Sequence, residues 1–198
     1  MHQRNYFLLF IALLIGVLFS GCATHNAAMD FHADGRQFQQ TGPEYPKSIV
    51  VYDSWSGNTG KIADEIARIL NCPSIHMDDI RDYFPNQYDL IVVGSPVHGG
   101  RPTDKIEKFL SELENINASA VFVTYGAPFF GTFTANRCLD FMEKELHQTS
   151  LGRFKCNGFH KIFRTYPSHP DETDLTEAAR FAEGLLARLK ASEGGVSP

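Results

Sequence analysis

The sequence predicts an α/β fold, a single domain whose parallel strands are covered by helices on both faces. Three observations carry that prediction. The chain has 198 residues, a length suited to one domain with a sizeable core. Short β-branched apolar runs alternate along it with segments whose apolar residues recur at helical spacing. Neither an internal repeat nor a second domain boundary interrupts the alternation. Parallel strands joined by crossover helices are buried on both sides and read as continuous hydrophobic runs, which is the pattern here.

The elements follow in order. Ser48-Ile49-Val50-Val51-Tyr52 reads as a buried first strand. After a turn-rich loop, Ile62, Ile66, Ile69 and Leu70, with Ala63 and Ala67, mark one face of a helix. Ser74–Met77 is a short candidate second strand. Tyr88–Ser95 is a stronger third strand that ends at Pro96, and Ile106, Phe109, Leu110 and Leu113 mark the helix beyond it. Ala120–Tyr125 forms the fourth strand, followed by a helix that places Cys138, Leu139, Met142 and Leu146 on one face. Phe159–Phe163 is expected to lie in a fifth strand. A last helix over about 174–190 is expected to bury Leu175, Ala178, Phe181, Ala182, Leu185, Leu186 and Leu189.

Composition narrows the function classes. With 43% hydrophobic residues the chain is not wholly disordered, and a formal charge of −5 disfavours a nucleic-acid-binding surface. Four scattered cysteines without a C-x-x-C exclude a disulfide scaffold and a zinc ribbon. Cys72, Cys138 and Cys156 read as buried apolar residues, although export would permit one disulfide among them.

The N-terminus reads as an address. Arg4 precedes an apolar run, Tyr6–Phe19, of about fourteen residues, short of the roughly twenty needed for a spanning helix. It ends in Leu18-Phe19-Ser20-Gly21-Cys22, which resembles the lipobox of bacterial lipoproteins, with Phe19 where an aliphatic residue is usual. The resemblance implies a signal peptide over 1–21, lipidation of Cys22, and anchorage of an exported protein facing the periplasm; the alternatives are an ordinary signal or an uncleaved anchor. Residues 22–46 would then be the lipidated cysteine and a flexible tether, 47–190 the folded domain, and 191–198 a disordered tail. His25 and His32 within the tether read as solvated rather than metal-binding.

In an open α/β sheet, ligands bind beyond the carboxyl ends of the strands. The loop after strand one offers the hydroxyls of Ser54, Ser56 and Thr59, the amide of Asn58, and a sharp turn at Gly57. With the unpaired N–H groups and positive dipole end of the following helix, these residues suit a phosphate monoester. The same residue types also cap helices well, so a simple capped turn is the alternative. Neither a Walker loop nor G-x-G-x-x-G is present, which disfavours ATPase and dinucleotide readings. No G-x-S-x-G elbow or nucleophile–base pair stands out.

Val51–Thr59 (VYDSWSGNT) resembles the phosphate loop of flavodoxins, and Tyr88–Arg101 (YDLIVVGSPVHGGR) is similar to that family's second conserved segment. Tyr125-Gly126 resembles the start of its third flavin loop, and Ser168-His169-Pro170 with Asp174-Leu175 resembles its C-terminal segment. The resemblance spans 47–190. It implies a three-layer sandwich with a five-stranded parallel sheet in the order 2-1-3-4-5, a family for which the switch-point rule is well known.

It further implies FMN as cofactor. Ser54, Ser56, Gly57, Asn58 and Thr59 would hold the phosphate, and Trp55 sits within that loop, where it could supply stacking area. Ser95, Pro96, Val97, His98, Gly99 and Gly100 would run along the isoalloxazine. Tyr125, Gly126 and Ala127, with Phe129 or Phe130, would close the other side. His98 stands where related sequences often carry a stacking Tyr; it either stacks, making affinity pH-dependent, or points to water. Asp53 is a candidate for lowering the flavin potential.

The implied function is an FMN-binding electron carrier at the membrane surface, with a partner protein or a quinone as redox partner and no role for nucleic acid. A neighbouring expectation is an FMN-dependent NAD(P)H or quinone reductase. A third, from another class, is a flavin-free interaction module on the same fold.

Overall fold

The computed structural model describes residues 30–31, 37–38, 46–82, 87–146 and 150–194. The expected signal peptide and Cys22 lie outside the described residues. Within the stretch expected to be a tether, Asp30–Phe31 and Gln37–Phe38 pair as a two-residue antiparallel ladder.

The main sheet has five strands: β1 (Ser48–Tyr52), β2 (Ser74–His76), β3 (Leu90–Pro96), β4 (Ser119–Tyr125) and β5 (Arg153–Asn157). All neighbours are parallel, in the order β2-β1-β3-β4-β5. The 2-1-3-4-5 sheet expected from the sequence is therefore the one observed. Its helices are α1 (Asn58–Leu70), α2 (Asp104–Ser111), α3 (Gly131–Glu145) and α4 (Glu172–Gly194).

The period of two along the strands divides the core. Ile49, Val51, Ile91, Val93, Val121 and Val123 face α2 and α3, packing with Ile106, Leu110, Leu139 and Met142. Val50, Leu90, Val92, Ala120 and Phe122 face α1 and α4, packing with Ile62, Ile66, Leu70, Ala178, Ala182 and Leu185. Each fully buried aliphatic side chain contributes about 1.5–3 kcal/mol, so both layers hold the sheet strongly. Leu175, Phe181 and Leu186, expected in the core, are partly buried at its margin. Gly94 lies opposite Phe122, and a Cβ there would come within 2.1 Å of the Phe122 ring.

Helix ends follow their local chemistry. Asn71 adopts the left-handed conformation after α1, and its N–H reaches the carbonyls of Ala67 and Arg68. At the start of α4, Asp171 Oδ1 accepts the N–H groups of Thr173 and Asp174, while Asp174 Oδ2 accepts that of Asp171. The helix continues through Gly194, four residues past the expected end at 190. Cys72, Cys138 and Cys156 are buried thiols; burial pushes the Cys138 thiol up to about 12, the unreactive end of the thiol range. Among the described residues no helix is long and apolar enough to cross a membrane.

One expectation is corrected. Phe159–Phe163 is not a strand; β5 is Arg153–Asn157, and Phe159–Phe163 belongs to the loop beyond it. As an edge strand β5 pairs only with β4, and of its five residues only Cys156 is buried, so it needs no apolar run.

Candidate functional site

A cleft of about 610 Å³ opens at the carboxyl edge of the sheet, walled by the loops after β1, β3, β4 and β5. Its lining includes Trp55, Ser56 and Asn58 from the first loop and Pro96, Val97, His98 and Gly99 from the second. Thr124, Tyr125 and Gly126 come from the third, and Gly158–Ile162 from the fourth.

The first wall begins at Asp53, whose N–H donates to the Gly94 carbonyl at 3.1 Å and fixes the loop to β3. Asp53 Oδ1 accepts the Ser54 N–H at 2.9 Å, and the Gly60 N–H approaches Ser54 Oγ at 3.4 Å. Ser56 is exposed and its Oγ accepts from Asn58 Nδ2 at 2.9 Å. The first turn of α1 holds no carboxylate, so the positive end of its dipole is free to meet an anion. Thr59 is placed differently from the expectation: its hydroxyl is buried against Thr124 Oγ1 at 2.9 Å and does not line the cleft.

The second wall is a hairpin. His98 and Arg101 exchange backbone hydrogen bonds of 2.8 and 3.0 Å around Gly99 and Gly100, whose φ angles are +58° and +87°. Positive φ at both central positions is the signature of a type I′ turn, which glycine enters without steric cost. Gly100 itself is turned inward against Arg137. Ser95 is fully buried, where its Oγ donates to the Pro96 carbonyl and accepts the Thr103 N–H at 3.0 Å, so it braces the loop from behind.

Trp55 and His98 meet across the mouth at a centroid distance of 4.0 Å and an interplanar angle of 66°. Burial lowers the His98 pKa from its ordinary value of 6.5, with Asp53 and Asp104 opposing the shift, so the ring is neutral at neutral pH. His98 thus belongs to the cleft wall rather than to bulk water. Below it, Asp53 is buried; His76 Nε2 lies 3.3 Å from Asp53 Oδ1, and Asp53 Oδ2 has no hydrogen-bond partner among the described residues.

The third and fourth walls are joined to each other. Thr165 Oγ1 donates to the Gly126 carbonyl at 2.5 Å, and a Cβ on Gly126 would come within 2.7 Å of both the Gly158 carbonyl and His160 Cβ. The fourth loop is closed by bonds from the Phe159 N–H to the His169 carbonyl and from the His160 N–H to the Thr165 carbonyl. Asn58 Nδ2 donates to the Phe159 carbonyl at 2.9 Å, tying the first wall to the fourth. Phe129, expected to close the site, is 82% exposed and does not line the cleft, nor does Phe130.

Of the residues expected from sequence, Trp55, Ser56, Asn58, Pro96, Val97, His98, Gly99, Tyr125 and Gly126 converge on the cleft. Ser54, Gly57, Thr59, Ser95 and Gly100 shape the surrounding loops. Sequence reasoning missed Thr124 and the whole fourth wall, Gly158–Ile162. The signal for the latter was Gly158 followed by a run with two basic residues before Pro167, a loop composition read instead as a strand.

Comparison with known proteins agrees with this geometry. Residues 49–163 match the family model for a flavodoxin domain. An uncharacterized protein of Methanocaldococcus jannaschii is 32% identical over 148 residues, covering 71% of this chain and 98% of that protein. The flavodoxin-like domain-containing protein BilS of Clostridioides difficile is 28% identical, covering 74% of this chain and 98% of that protein. Among solved structures, a short-chain flavodoxin associated with a PDU bacterial microcompartment aligns with a TM-score of 0.53 at 19% identity, covering 72% of this chain and 97% of that one.

Proposed function

The chain belongs to the flavodoxin domain family, and from that premise we propose that it is an FMN-binding redox protein that transfers electrons at a membrane surface. The observation that carries the reading is the convergence of a carboxylate-free helix start with an aromatic-walled cleft at the carboxyl edge of a parallel sheet.

The donor set fits the cofactor. Ser54, Ser56 and the α1 N-terminus suit a phosphate dianion, needing no Lys or Arg. The cleft of about 610 Å³ lies within the usual range for small-molecule sites, roughly 300–1,000 Å³. Trp55, Val97, His98 and Tyr125 supply apolar and aromatic surface for a planar ring system. When bound, FMN supplies the electron-transfer chemistry. The protein's part is to bind, orient and tune: Asn58 keeps two walls in register, and Ser95 holds the ring-side loop. The buried Asp53 carboxylate beside the phosphate loop disfavours added negative charge, which lowers the potential.

The membrane part of the reading rests on residues 1–22. Lipidation at Cys22 would hold an exported domain at a membrane facing the periplasm, with a partner protein or a quinone exchanging electrons there.

Titrating FMN with the purified protein and following flavin fluorescence tests the cofactor assignment. Quenching with micromolar or tighter affinity is expected, and Ser56→Asp, an exposed change that sets a carboxylate beside the phosphate, abolishes it. A folded protein that leaves flavin fluorescence unchanged refutes the assignment.

A further inference from the structure

We infer that the edge of the domain carrying the cleft, on its β4–β5 side, docks against an anionic phospholipid surface. Trp55 aside, the inference stands on residues that the electron-transfer reading does not use, and it holds whether or not flavin binds.

The exposed large apolar side chains of the described residues gather on this side. Phe129, Phe130 and Phe133 project from the loop after β4 and the first turn of α3, and Ile162 and Phe163 from the loop after β5. Ile162 is 84% exposed and Phe129 82%. The two loops are neighbours, since Thr165 Oγ1 bonds the Gly126 carbonyl, and Ile162 shares the cleft lining with Trp55, itself 70% exposed. A cluster of largely exposed Phe and Ile side chains marks a surface that meets something apolar.

Charge decides what that is. The chain carries −5 overall, yet residues 54–57, 97–103, 126–130 and 158–170 contain Arg101, Lys161 and Arg164 and no Asp or Glu. Arg101 is paired with Glu107, whereas Lys161 and Arg164 bracket Ile162 and Phe163 directly in the sequence and make no ion pair among the described residues. Apolar tips flanked by cations suit the interface of a negatively charged bilayer, where rings enter the headgroup boundary and basic side chains reach the phosphates. Asp78 and Asp79 follow β2 at the opposite end of the strand order, and Asp171 and Glu172 stand at the start of α4 just beyond the last of these segments, so the basic tips are confined to the loop after β5.

The chain length permits the pose. β1 enters from the amino edge, opposite the cleft, and with the Asp30–Phe38 ladder kept the 15 residues of 23–29 and 39–46 can extend to about 50 Å. That exceeds the roughly 20 Å length of the strands they must pass. Anchorage through residue 22 therefore leaves the cleft edge free to turn onto the bilayer.

Trp55 is the only tryptophan of the chain and sits on this rim, so it reports contact directly. The full chain is reconstituted without FMN into vesicles of phosphatidylcholine with brominated acyl chains, with or without phosphatidylglycerol. The proposal expects loss of Trp55 emission in the anionic vesicles and less loss in the neutral ones. Lys161→Glu with Arg164→Glu, and separately Phe129→Ser with Phe133→Ser, restore the emission while thermal unfolding stays unchanged. If either pair fails to fold, the other carries the test, because one changes only charge and the other only apolar surface. No quenching in anionic vesicles overturns the proposal, as does quenching that persists in the folded variants, which would assign the contact to the N-terminal segment alone. A concentration-dependent dimer in detergent, dissolved by the Phe129→Ser and Phe133→Ser changes, also overturns it by giving the surface to a second copy.

Discussion

Asn58 Nδ2 donates to the Phe159 carbonyl at 2.9 Å, joining the first and last walls of the cleft across 101 positions of sequence. The contact crowds the facing residue: a Cβ on Gly158 would lie 2.9 Å from Asn58 Nδ2 and 3.1 Å from both its Cγ and its Cβ. Asn58 also donates to Ser56 Oγ, so one amide sets the position of both the phosphate loop and the loop beyond β5.

Asn58→Ala removes both bonds and is expected to cost about 1–2 kcal/mol of stability, read as a lower denaturant midpoint. Gly158→Ala should destabilise the parent and destabilise Asn58→Ala less, because the Nδ2 and Cγ atoms that crowd it are gone while Asn58 Cβ, at 3.1 Å, stays. A double-mutant cycle in which the two costs simply add would disprove this coupling.

His98 should make stability depend on pH with a definite sign. Its folded pKa is depressed by burial, so below the ordinary value of 6.5 the unfolded chain takes up a proton before the folded one does. The unfolded state then binds more protons, and stability falls as pH drops through that window. Denaturant midpoints at neutral and mildly acidic pH should differ less in His98→Gln than in the parent; identical losses in both would remove His98 from the account.

Gly94 is the only residue small enough to let the Phe122 ring lie across β3. Gly94→Ala is expected to lower stability by about 1–3 kcal/mol, and Phe122→Leu in the same chain should recover part of that loss. Thermal unfolding of the two single variants and the double variant checks the rescue.

Most of the architecture was legible because burial on two sides leaves a simple trace. Val50, Val51, Val92 and Val93 lie in strands with partners and helices on every side, and their β-branched runs announce it. Arg153–Asn157 lies at the edge, pairs once, and carries Arg153 and Lys155 toward partners outside the core, so its composition resembles a loop. Phe159–Phe163, with two Phe and an Ile, resembles a strand because apolar residues usually mean burial; here Ile162 and Phe163 are exposed. The same misreading concealed the fourth wall of the cleft.

The phosphate loop and the hairpin at Gly99-Gly100 were legible as local patterns of residue types. The directions of their side chains were not. Thr59 turns its hydroxyl to Thr124, Ser95 is spent on Thr103, and Phe129 faces solvent, each decided by tertiary contacts that residue type does not encode. The signal peptide and Cys22 lie outside the described residues, so their reading rests on the sequence motif.

The most direct measurement compares FMN with riboflavin, which lacks the phosphate, using quenching of the single tryptophan, Trp55, as the readout. Saturable quenching by FMN, with riboflavin bound at least about tenfold more weakly, is expected from a loop that meets the phosphate with neutral donors and a helix dipole. Equal affinity for the two, or no saturable quenching by either, would contradict the assignment of Ser54–Asn58 as a phosphate site and of the cleft as a flavin site.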